Sequence, residues 1–552
     1  MKQTAPVVII GAGPVGMFLA LDLAHRGVAS TIVERDAGSR TDPKGNTHNA
    51  RTMEHYRRLG LADDVRALGL PPNQPTDVVY VTRLDGLELG RIAMPSAAKK
   101  LADRNQRDRL DQVPEPLHRA NQMNVEGLII ERVKASPLIT ALFGWEFVEW
   151  RQAEDGLEVE VRAPESGETR TLACHYLVGC DGGRSSVRRS LDIRFSGEDT
   201  FEGYMGGGMR ANHFRISNLY DVYKHVRGWQ YWVLNHRLIV GMVDINGKDE
   251  FLVHTAMEQA PTEADVVALV RQIASAPLDL QLLSSRTWTA GRALVADAYG
   301  RGNVFLAGDA IHVFTPTGGF GMNTGVDDAA NLAWKLAAVL GGWGGPRLLE
   351  TYEVERRPIG IRNTTSARKH ALHLRDLPLV AELEEDSAAG AAARAEVKRS
   401  VPAFAEEFAS IGIQLGARYD QSPVIAHEAG AQPPPDDIER YVSTSLPGGR
   451  APHLWLDDGR SLYDLLGQGF LLLRFADGPS IAPLVERARA RGIPLSVADI
   501  RIEGAETFYP RRLALIRPDH YVAWRGDSLP DPDGLLSLVT GWREMAAATS
   551  PA

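Results

Sequence analysis

The sequence predicts an α/β protein with three parts: a doubly wound parallel sheet, an antiparallel sheet inserted into it, and a C-terminal α/β domain. Three observations predict this fold. An apolar strand near the start runs into a glycine-rich turn, two more strand-to-glycine turns follow at long intervals, and segment 461–552 alternates strands with helices. A chain of 552 residues is too long for a single core, so several domains are expected.

The composition excludes several classes of protein. With 61 basic and 70 acidic residues, the net charge is −9, which indicates neither a nucleic-acid partner nor an anionic membrane surface. No apolar run reaches the roughly 18 residues of a membrane-spanning helix, and the N-terminus does not read as a signal peptide. Two cysteines, Cys174 and Cys180, form neither a CxxC centre nor a four-ligand zinc site. We expect a cytoplasmic protein without a metal.

The first glycine turn has the pattern of a dinucleotide-binding site. Residues 7–10 (VVII) are a buried strand, and a helix is predicted from Pro14 to about Arg26. Between them, Gly11 permits a tight turn, Gly13 lets the backbone approach a pyrophosphate, and Gly16 lets the helix pack on the strand. The predicted cofactor-binding residues here are Gly11, Gly13, Pro14, Val15 and Gly16.

An acidic residue completes this pattern. Glu34 ends the next predicted strand, where its carboxylate can accept hydrogen bonds from a ribose 2′-hydroxyl. Its charge repels a 2′-phosphate, so the bound nucleotide is FAD or NAD rather than NADP. Arg35, the next residue, is assigned to the same site. These features alone leave the dehydrogenases open.

Two later motifs favour a flavin. In segment 176–188 an apolar strand ends in Asp181, and in segment 303–323 a strand (304–307) ends in Asp309 before a glycine-rich loop. A carboxylate at the end of a buried strand can bind the ribityl hydroxyls of a flavin, and such a loop can place N–H groups beside the ring. A helix is predicted over 326–340, with Asp327 and Asp328 in its first turn.

With these motifs the chain resembles the aromatic flavoprotein hydroxylases, which include the para-hydroxybenzoate, phenol, hydroxyphenylpropionate and chlorophenol hydroxylases. The resemblance covers residues 5–375 through the GxGxxG turn, CDGGRSSVR and GDAIHVFTPTGGFGMN, with GNTHNARTMEHYRRLGL and RANQMNVEGLI in addition. It implies a Rossmann-type FAD-binding domain. It also places Glu34 on the adenosine ribose, Lys44 and Arg51 near the pyrophosphate, Gln122 near the flavin side, and Asp309 on the phosphate and ribityl portion.

The resemblance further assigns the ring of the flavin to the glycine-rich loop. Met322 and Asn323 would contact the ring, while Pro316, Gly319 and Gly321 would shape the loop on that side. Lys44 stands where the family usually has arginine. Lysine keeps the charge but lacks the bidentate fork of a guanidinium.

The resemblance implies a monooxygenase reaction. NADH or NADPH would reduce FAD, O₂ would form a C4a-hydroperoxyflavin, and one oxygen atom would pass to a small aromatic substrate, phenolic or catecholic. A single dinucleotide fingerprint indicates that the nicotinamide cofactor visits transiently. The alternatives are a flavin dehydrogenase or reductase without oxygen insertion, an antibiotic- or polyketide-modifying monooxygenase, and a flavin-binding sensor.

The segment 191–286, joined by residues 76–105, is predicted to form the inserted antiparallel sheet and one wall of the substrate pocket. It alternates apolar and polar residues and is rich in aromatic ones. The polar candidates for contact with substrate are Asn46, His48, Arg210, His213 and Tyr231. Of these, His48 or His213 would accept a phenolic proton near neutral pH.

The predicted domains are 1–190 and 287–410 for the FAD-binding domain with its connecting helices, and 436–552 for a thioredoxin-like C-terminal domain. Segment 429–435 (AGAQPPP) is a predicted linker. The C-terminal domain has no cysteine, which excludes thiol chemistry. Packing, dimer contact or cofactor cover are the roles we expect of it, and we expect a homodimer.

Overall fold

The computed structural model describes residues 3–38, 41–105, 112–199, 209–256, 262–288, 292–375, 377–408, 410–476 and 478–542. Within these ranges no helix combines the length and the apolar character needed to cross a membrane.

Strands and helices alternate in the first part of the chain, where short apolar runs are separated by amphipathic segments. Its elements are β1 (Gln3–Thr4), β2 (Val7–Ile10), α1 (Pro14–His25), β3 (Ser30–Glu34), β4 (Thr47–His48), α2 (Ala50–Arg58), α3 (Ala62–Arg66), β5 (Val78–Val81), β6 (Glu88–Ile92), α4 (Ala97–Asn105), β7 (His118–Arg119), α5 (Gln122–Ala135), β8 (Ile139–Phe143), β9 (Glu146–Ala153), β10 (Gly156–Arg162), β11 (Thr169–Cys174), β12 (Tyr176–Gly179), α6 (Ser186–Ser190) and β13 (Phe195–Glu198).

The middle of the chain holds the antiparallel strands and the long helices. Its elements are β14 (Met209–Ile216), α7 (Leu219–Val222), β15 (Gln230–Leu234), β16 (Ile239–Asp244), β17 (Glu250–Ala256), α8 (Glu263–Val270), β18 (Leu280–Trp288), β19 (Ala293–Ala296), β20 (Gly300–Arg301), β21 (Val304–Leu306), β22 (His312–Val313), α9 (Phe320–Leu340), α10 (Thr351–Arg375), α11 (Ala388–Phe408) and α12 (Ile411–Leu415).

The parallel sheet has the strand order β20-β21-β12-β2-β3-β8, and all its pairs are parallel except β20–β21. Its apolar strands are buried on both faces, as expected of a doubly wound sheet. The carboxyl ends of β2, β12 and β21 run directly into the three glycine turns identified in the sequence. The sheet therefore brings the three turns to one edge, where such folds bind their ligands.

The antiparallel sheet expected between the flavin motifs has seven strands, in the order β18-β14-β17-β16-β15-β5-β6. Strand β5 pairs with β15 in parallel, and the remaining pairs are antiparallel. One face packs under α7 and α8, and the other faces α5 and α11. The division of the chain into domains at the stated boundaries remains a prediction.

Helix α9 begins at Phe320, six residues before the predicted start at Val326, so that prediction was wrong. Gly318 and Gly319 both have left-handed backbone angles (φ 71° and 66°), which end the preceding loop and start the helix at once. Asp327 and Asp328 consequently lie beyond the first turn. They are buried, so their predicted role at the helix N-terminus was also wrong.

The C-terminal domain has a four-stranded mixed sheet with the order β24-β23-β25-β26. The sequence predicts its first helix over 461–466 and its last over 533–546. The first is a short 3₁₀ helix (Leu462–Leu465), and the last ends at Val539 because Gly541 adopts a left-handed conformation. Residues 543–546 of that predicted helix lie outside the described residues. The elements are β23 (Phe470–Phe475), α13 (Ala482–Ala490), β24 (Leu495–Ile500), β25 (Leu513–Ile516), β26 (Val522–Gly526) and α14 (Pro532–Val539).

A buried ion cluster lies against α9. Asp327 accepts a hydrogen bond from Arg51 Nε at 3.1 Å, and Asp328 accepts one from Arg356 Nε at 2.8 Å. Arg356 also pairs with Asp327. Burial favours the neutral carboxyl, yet Arg356 and Arg51 hold the pKa of Asp327 well below its ordinary value. Asp327 is therefore an ionised counterion in the interior, and Asp328 lies beside it as a hydrogen-bond partner of Arg356.

A second buried cluster joins α9 and α10 to the C-terminal domain. The Glu355 carboxylate accepts hydrogen bonds from Lys335 Nζ at 2.7 Å and from both terminal nitrogens of Arg517 at 2.6 and 2.8 Å. Burial lowers the pKa of Lys335 to about 8. Arg517 comes from the C-terminal domain, so that domain supplies a charge which the cofactor half of the molecule needs.

Replacing Glu355 tests this coupling. Glu355→Gln keeps the size of the side chain but leaves Lys335 without its counterion and Arg517 with Asp519 alone, which should destabilise the fold by about 3–5 kcal/mol. We expect a lower urea midpoint and earlier proteolysis in segment 416–461, which connects the C-terminal domain. As control, Asp499→Asn breaks an exposed pair with Arg474 and should cost no more than about 1 kcal/mol. Equal midpoints for the two variants would contradict the coupling.

Candidate active site

The first glycine turn leaves an open space at the N-terminus of α1. A Cβ added to Gly11 (φ 103°) would overlap the Cys180 carbonyl, and one added to Gly16 would overlap the Gly11 carbonyl. A Cβ at Gly13 would meet nothing within 4 Å. Helix α1 has no side-chain cap, so the N–H groups of its first turn face this space and can bind an anion.

Glu34 braces this turn from the end of β3. Its Oε2 accepts the Ala12 N–H at 2.8 Å and its Oε1 accepts the Asp36 N–H at 3.1 Å. A carboxylate has further lone pairs, so Glu34 can still accept ribose hydroxyls. Arg35 points away from the turn, since its side chain is 73% exposed and lies 3.8 Å from Asp36. The structure therefore does not bring Arg35 to the site.

The third motif lies beside the first because Val15 packs between two glycines. Cβ atoms at Gly308 and Gly325 would stand 3.0 and 2.6 Å from Val15 Cγ2. Asp309 follows Gly308 at the edge of the sheet and is exposed. The spacing of the motifs in the chain thus becomes a contact in the fold, with Asp309 beside the open space.

Asp181 has a structural role. Its Oδ2 accepts the N–H groups of Ser186 at 2.6 Å and Val187 at 3.3 Å, so it holds the start of α6. Burial raises the pKa of this carboxyl. Its Oδ1 accepts no hydrogen bond within the described residues, so contact of Asp181 with the cofactor stays a prediction.

Lys44 and Gln122 come together at the start of α5, where the Gln122 N–H donates to the Gly45 carbonyl at 2.8 Å. Asn46 holds this loop: its Nδ2 donates to the Lys44 carbonyl at 3.1 Å, and its Oδ1 accepts from Asn121 at 2.7 Å. Lys44 itself is exposed. The loop uses one donor and one acceptor position of the Asn46 amide, and its contact with substrate stays a prediction.

The Asn323 side chain also makes its hydrogen bonds within the protein. Its Oδ1 accepts from the Asn49 N–H at 2.9 Å and from Thr52 Oγ1 at 2.7 Å, and its Nδ2 donates to the carbonyls of Thr47 and Gly319 at 2.9 and 2.6 Å. The side chain therefore fastens the start of α9 to residues 47–52. Only its backbone remains for the ring contact that the resemblance implied.

Arg51 does not reach the glycine turn. Besides Asp327, its guanidinium contacts Glu54 Oε2 at 3.1 Å and the Asp519 carbonyl at 2.6 Å, and the residue is buried. These partners account for all its nitrogens, so the assignment of Arg51 to the pyrophosphate was wrong. This pairing is not visible in the sequence, because Asp327 lies 276 residues away along the chain.

The loop of residues 315–319 ends at the uncapped N-terminus of α9. Pro316, Gly321 and Met322 surround this helix end and are half-buried, while Gly319 is exposed. The partial positive charge of the helix N-terminus is therefore directed at the space beside the loop. An anionic reduced flavin ring is stabilised by such an environment.

A carboxylate that sequence reasoning missed touches this loop. The Gly318 N–H donates to Glu407 Oε1 at 2.8 Å, and the Arg119 guanidinium is near enough to act electrostatically on the carboxylate. Burial raises the pKa of Glu407 to about 7, and Arg119 offsets part of that rise. Arg119 stacks on the Trp229 ring at 3.7 Å, and burial lowers its pKa to about 9.

One face of the antiparallel sheet presents a continuous row of residues toward α5 and α11. Across five neighbouring strands the row consists of Ala211, His254, Gly241, Trp232 and Tyr80. The Trp232 ring lies flat over Gly241, where a Cβ would stand 3.1 Å from the ring. Ala211, His254 and Trp232 are half-buried. We refer to these five residues as the cross-strand row.

Two of the predicted substrate contacts lie on the opposite face. Adjacent residues of a strand point to opposite sides, so Arg210 points away from Ala211 and Tyr231 away from Trp232. Arg210 Nε donates to Ser285 Oγ at 2.9 Å. The Tyr231 hydroxyl donates to the Gly228 carbonyl at 3.0 Å within a fully buried cluster. The prediction for Tyr231 was wrong, because its side chain is fully buried in the core under α7 and α8. Contact of Arg210 with substrate stays a prediction.

The two histidine candidates lie in different environments. His48 is fully buried in β4, and burial lowers its pKa to about 3, so it does not accept a proton near neutral pH. That prediction was wrong. His213 lies on the same face as the cross-strand row, with Nε2 3.0 Å from Glu250 Oε2. Its contact with substrate stays a prediction.

The site as a whole fits FAD. A space that a Gly13 side chain would fill lies at one uncapped helix N-terminus, and a second uncapped N-terminus faces the 315–319 loop. Glu34 and Asp309 supply carboxylates on the two sides of that space. This arrangement suits a ligand with a ribose, a pyrophosphate and an electron-accepting ring.

Family models match both parts of the chain. Residues 4–367 match the family described as FAD binding domain, and residues 444–546 match the family described as aromatic-ring hydroxylase, C-terminal.

Curated relatives agree with these matches. The chain is 32% identical to the FAD-dependent monooxygenase apdD of Emericella nidulans, over 97% of this chain and 90% of that protein. It is 29% identical to phenol 2-monooxygenase of a Pseudomonas species, over 97% of this chain and 96% of that protein.

Solved structures show the same fold. The rebeccamycin biosynthetic enzyme RebC with reduced flavin superposes with a TM-score of 0.87 at 32% identity, covering 98% of this chain and 100% of that one. Aklavinone-11 hydroxylase with FAD and aklavinone gives a TM-score of 0.82 at 26% identity over the same shares. The chain therefore belongs to the FAD-dependent aromatic-ring hydroxylases, and it is a flavoprotein monooxygenase that acts on aromatic compounds.

Proposed function

We propose that this monooxygenase hydroxylates a planar aromatic substrate of more than one ring that bears an ionisable hydroxyl group. The observation behind this proposal is the cross-strand row. From Trp232 to Ala211 it crosses three strand spacings, about 14 Å in all, with the Trp232 ring lying over Gly241 and a small side chain, Ala211, at its far end. A single ring covers about one of these spacings, whereas a flat multi-ring compound can lie along the row.

Relatives of both substrate classes exist. The names phenol 2-monooxygenase and 2,4-dichlorophenol 6-monooxygenase denote enzymes for single-ring compounds, which the sequence favoured. A putative polyketide hydroxylase of Streptomyces coelicolor and the aklavinone-bound structure support the multi-ring class. The length of the cross-strand row favours the second class, and a small phenol or catechol is the alternative.

In this proposal the residues of the chain bind the cofactor and orient the substrate. The first glycine turn and Asp309 hold the pyrophosphate and ribityl portion of the cofactor, Glu34 holds the ribose, and Lys44 lies near the phosphates. FAD, when bound, supplies the reduction of O₂ and the transfer of one oxygen atom to the ring, with NADH or NADPH as reductant. The sheet face keeps water from the substrate. A homodimer and a cytoplasmic location stay predictions.

Filling the far end of the cross-strand row tests the substrate class. Under ¹⁸O₂ the FAD-loaded enzyme should label two- to four-ring phenols with a higher kcat/KM than single-ring phenols and catechols. Ala211→Phe should lower kcat/KM for the multi-ring substrates at least tenfold, or about 1.4 kcal/mol, and change the single-ring values little. A new ring at Ala211 takes the space that the outer rings of the substrate need.

Leu283→Phe is the matched control, because it adds a ring at an exposed position of the edge strand β18. It should leave both classes of substrate unaffected. If single-ring phenols are the better substrates and Ala211→Phe does not distinguish the classes, the multi-ring proposal fails. Reduction of the flavin without label in any product would argue for a dehydrogenase or reductase instead.

Replacing Asp309 tests the cofactor contacts. Asp309→Ala should weaken FAD binding by about 1–3 kcal/mol, since a charged hydrogen-bonding partner is lost. Arg35→Ala serves as its comparison, because Arg35 was predicted to bind the cofactor yet points to solvent. Titration of the apoproteins with FAD, followed by flavin fluorescence, should show a weaker Kd for the first variant and an unchanged one for the second. The opposite order would refute the placement of both residues.

A further inference from the structure

The last turn of α11 contacts both the antiparallel sheet and the 315–319 loop. Phe404 stacks on Tyr80 of the cross-strand row with ring centroids 5.5 Å apart, and Phe408 packs edge-on against Trp229 at 6.4 Å. Glu407 lies between these two aromatic residues in sequence and reaches Gly318 of the loop. Its carboxylate therefore lies where one end of the cross-strand row approaches the cofactor loop.

The Glu407 carboxylate uses only part of its capacity to accept hydrogen bonds. Within the part of the chain that the structure describes, Gly318 is its one hydrogen-bond donor, and it donates to Oε1. Two titratable groups face it from the packed strands, the Arg119 guanidinium of β7 and the Tyr80 phenol of β5. Glu407 is half-buried and Oε2 accepts no hydrogen bond within the described residues, which leaves Oε2 as the oxygen available to a ligand.

We propose that Glu407 Oε2 accepts the proton of the aromatic hydroxyl group of the substrate; this rests on the proposed function. The O–H bond breaks, its electron pair stays on the ring oxygen, and the proton passes to Oε2. The substrate becomes a phenolate and Glu407 becomes neutral, so the total charge beside Arg119 does not change. A phenolate is more electron-rich than a phenol and hence a better acceptor of the oxygen atom.

The neighbouring groups favour Glu407 over other residues for this step. A carboxyl with a pKa of about 7 can take and release a proton near neutral pH. Burial raises the pKa of Tyr80 well above its ordinary value, so that phenol stays protonated. Burial lowers the pKa of His254 in the row to about 4, which makes it a weak base.

A mere anchor for the loop would need only an acceptor for the Gly318 N–H. Glu407→Gln retains such an acceptor but takes no proton, and Glu407→Leu removes both functions. We expect Glu407→Gln to lose about 10²-fold in kcat at pH 8 with FAD affinity unchanged. The wild-type kcat should fall as the pH drops below about 7, and this acidic limb should disappear in Glu407→Gln. Glu407→Asp should recover part of the rate.

A spectroscopic titration supplies a readout that does not depend on turnover. The probe is 4-nitrophenol bound to the FAD-loaded enzyme, and the phenolate absorbance is followed from pH 5 to 9 against enzyme without probe. In the wild type the probe and Glu407 share protons, so the titration should show two coupled steps. In Glu407→Gln it should show one.

The outcomes separate the two proposals. An unchanged acidic limb of kcat in Glu407→Gln, or identical probe titrations in the two proteins, would overturn the role of Glu407. A loss of rate in Glu407→Leu that Glu407→Gln does not share would show an anchor for the loop only, and this also overturns it. Turnover of single-ring phenols alone would refute the multi-ring proposal, while the pH profile and the titration would still decide the role of Glu407.

Discussion

Asp327 and Asp328 on α9 face Arg51 and Arg356 in the interior, and the position of the cofactor helix depends on this charge balance. The four side chains are brought together from helices α2, α9 and α10. Buried charges are tolerated only when each has a close partner, and removing one partner leaves an uncompensated charge that costs about 3–5 kcal/mol. Few other positions of α9 satisfy all four groups at once. These buried ion pairs therefore fix the position of the N-terminus of α9 and of the 315–319 loop.

The same balance extends into the C-terminal domain. Arg51 donates to the Asp519 carbonyl, Arg517 pairs with Glu355, and Arg450 pairs with Glu54 on α2. These contacts give the domain a physical role that its lack of cysteine left open. It holds the helices behind the cofactor, so that the surface presented to the flavin is set by residues far from it in the chain.

Local signals predicted the fold and the geometry of the first glycine turn. The roles of Gly11, Gly16 and Glu34 follow from steric and hydrogen-bonding demands within one turn, and the sequence shows those residues side by side. The start of α9 was predicted too late, because its first turn contains residues that disfavour helices in isolation, namely Gly321, Asn323 and Gly325. A tertiary requirement overrides that preference, since Asn323 fastens this turn to residues 47–52.

The substrate half could not be predicted in this way. Which residues of β14 and β15 face the cofactor depends on the sheet face that packs on α5 and α11, and a strand of alternating residues offers both choices. Tyr231 was therefore selected although its side chain packs in the core under α7 and α8. Glu407 lies in an alanine-rich, charged helix whose sequence resembles a solvated surface. Its partners, Gly318 and Arg119, come from distant segments, so only the fold reveals it.

The difference between the cofactor turns and the substrate-facing strands also explains how one scaffold can accept several substrates. The cofactor contacts are made by turns in which a side chain at Gly11 or Gly16 would overlap backbone atoms, so those positions admit no variation without moving the sheet. The cross-strand row consists of side chains on a rigid antiparallel sheet, and changing them alters the shape of the pocket while the backbone hydrogen bonds stay in place. Substrate range can therefore change at Ala211, Gly241 or Trp232 without disturbing the helices that hold the cofactor.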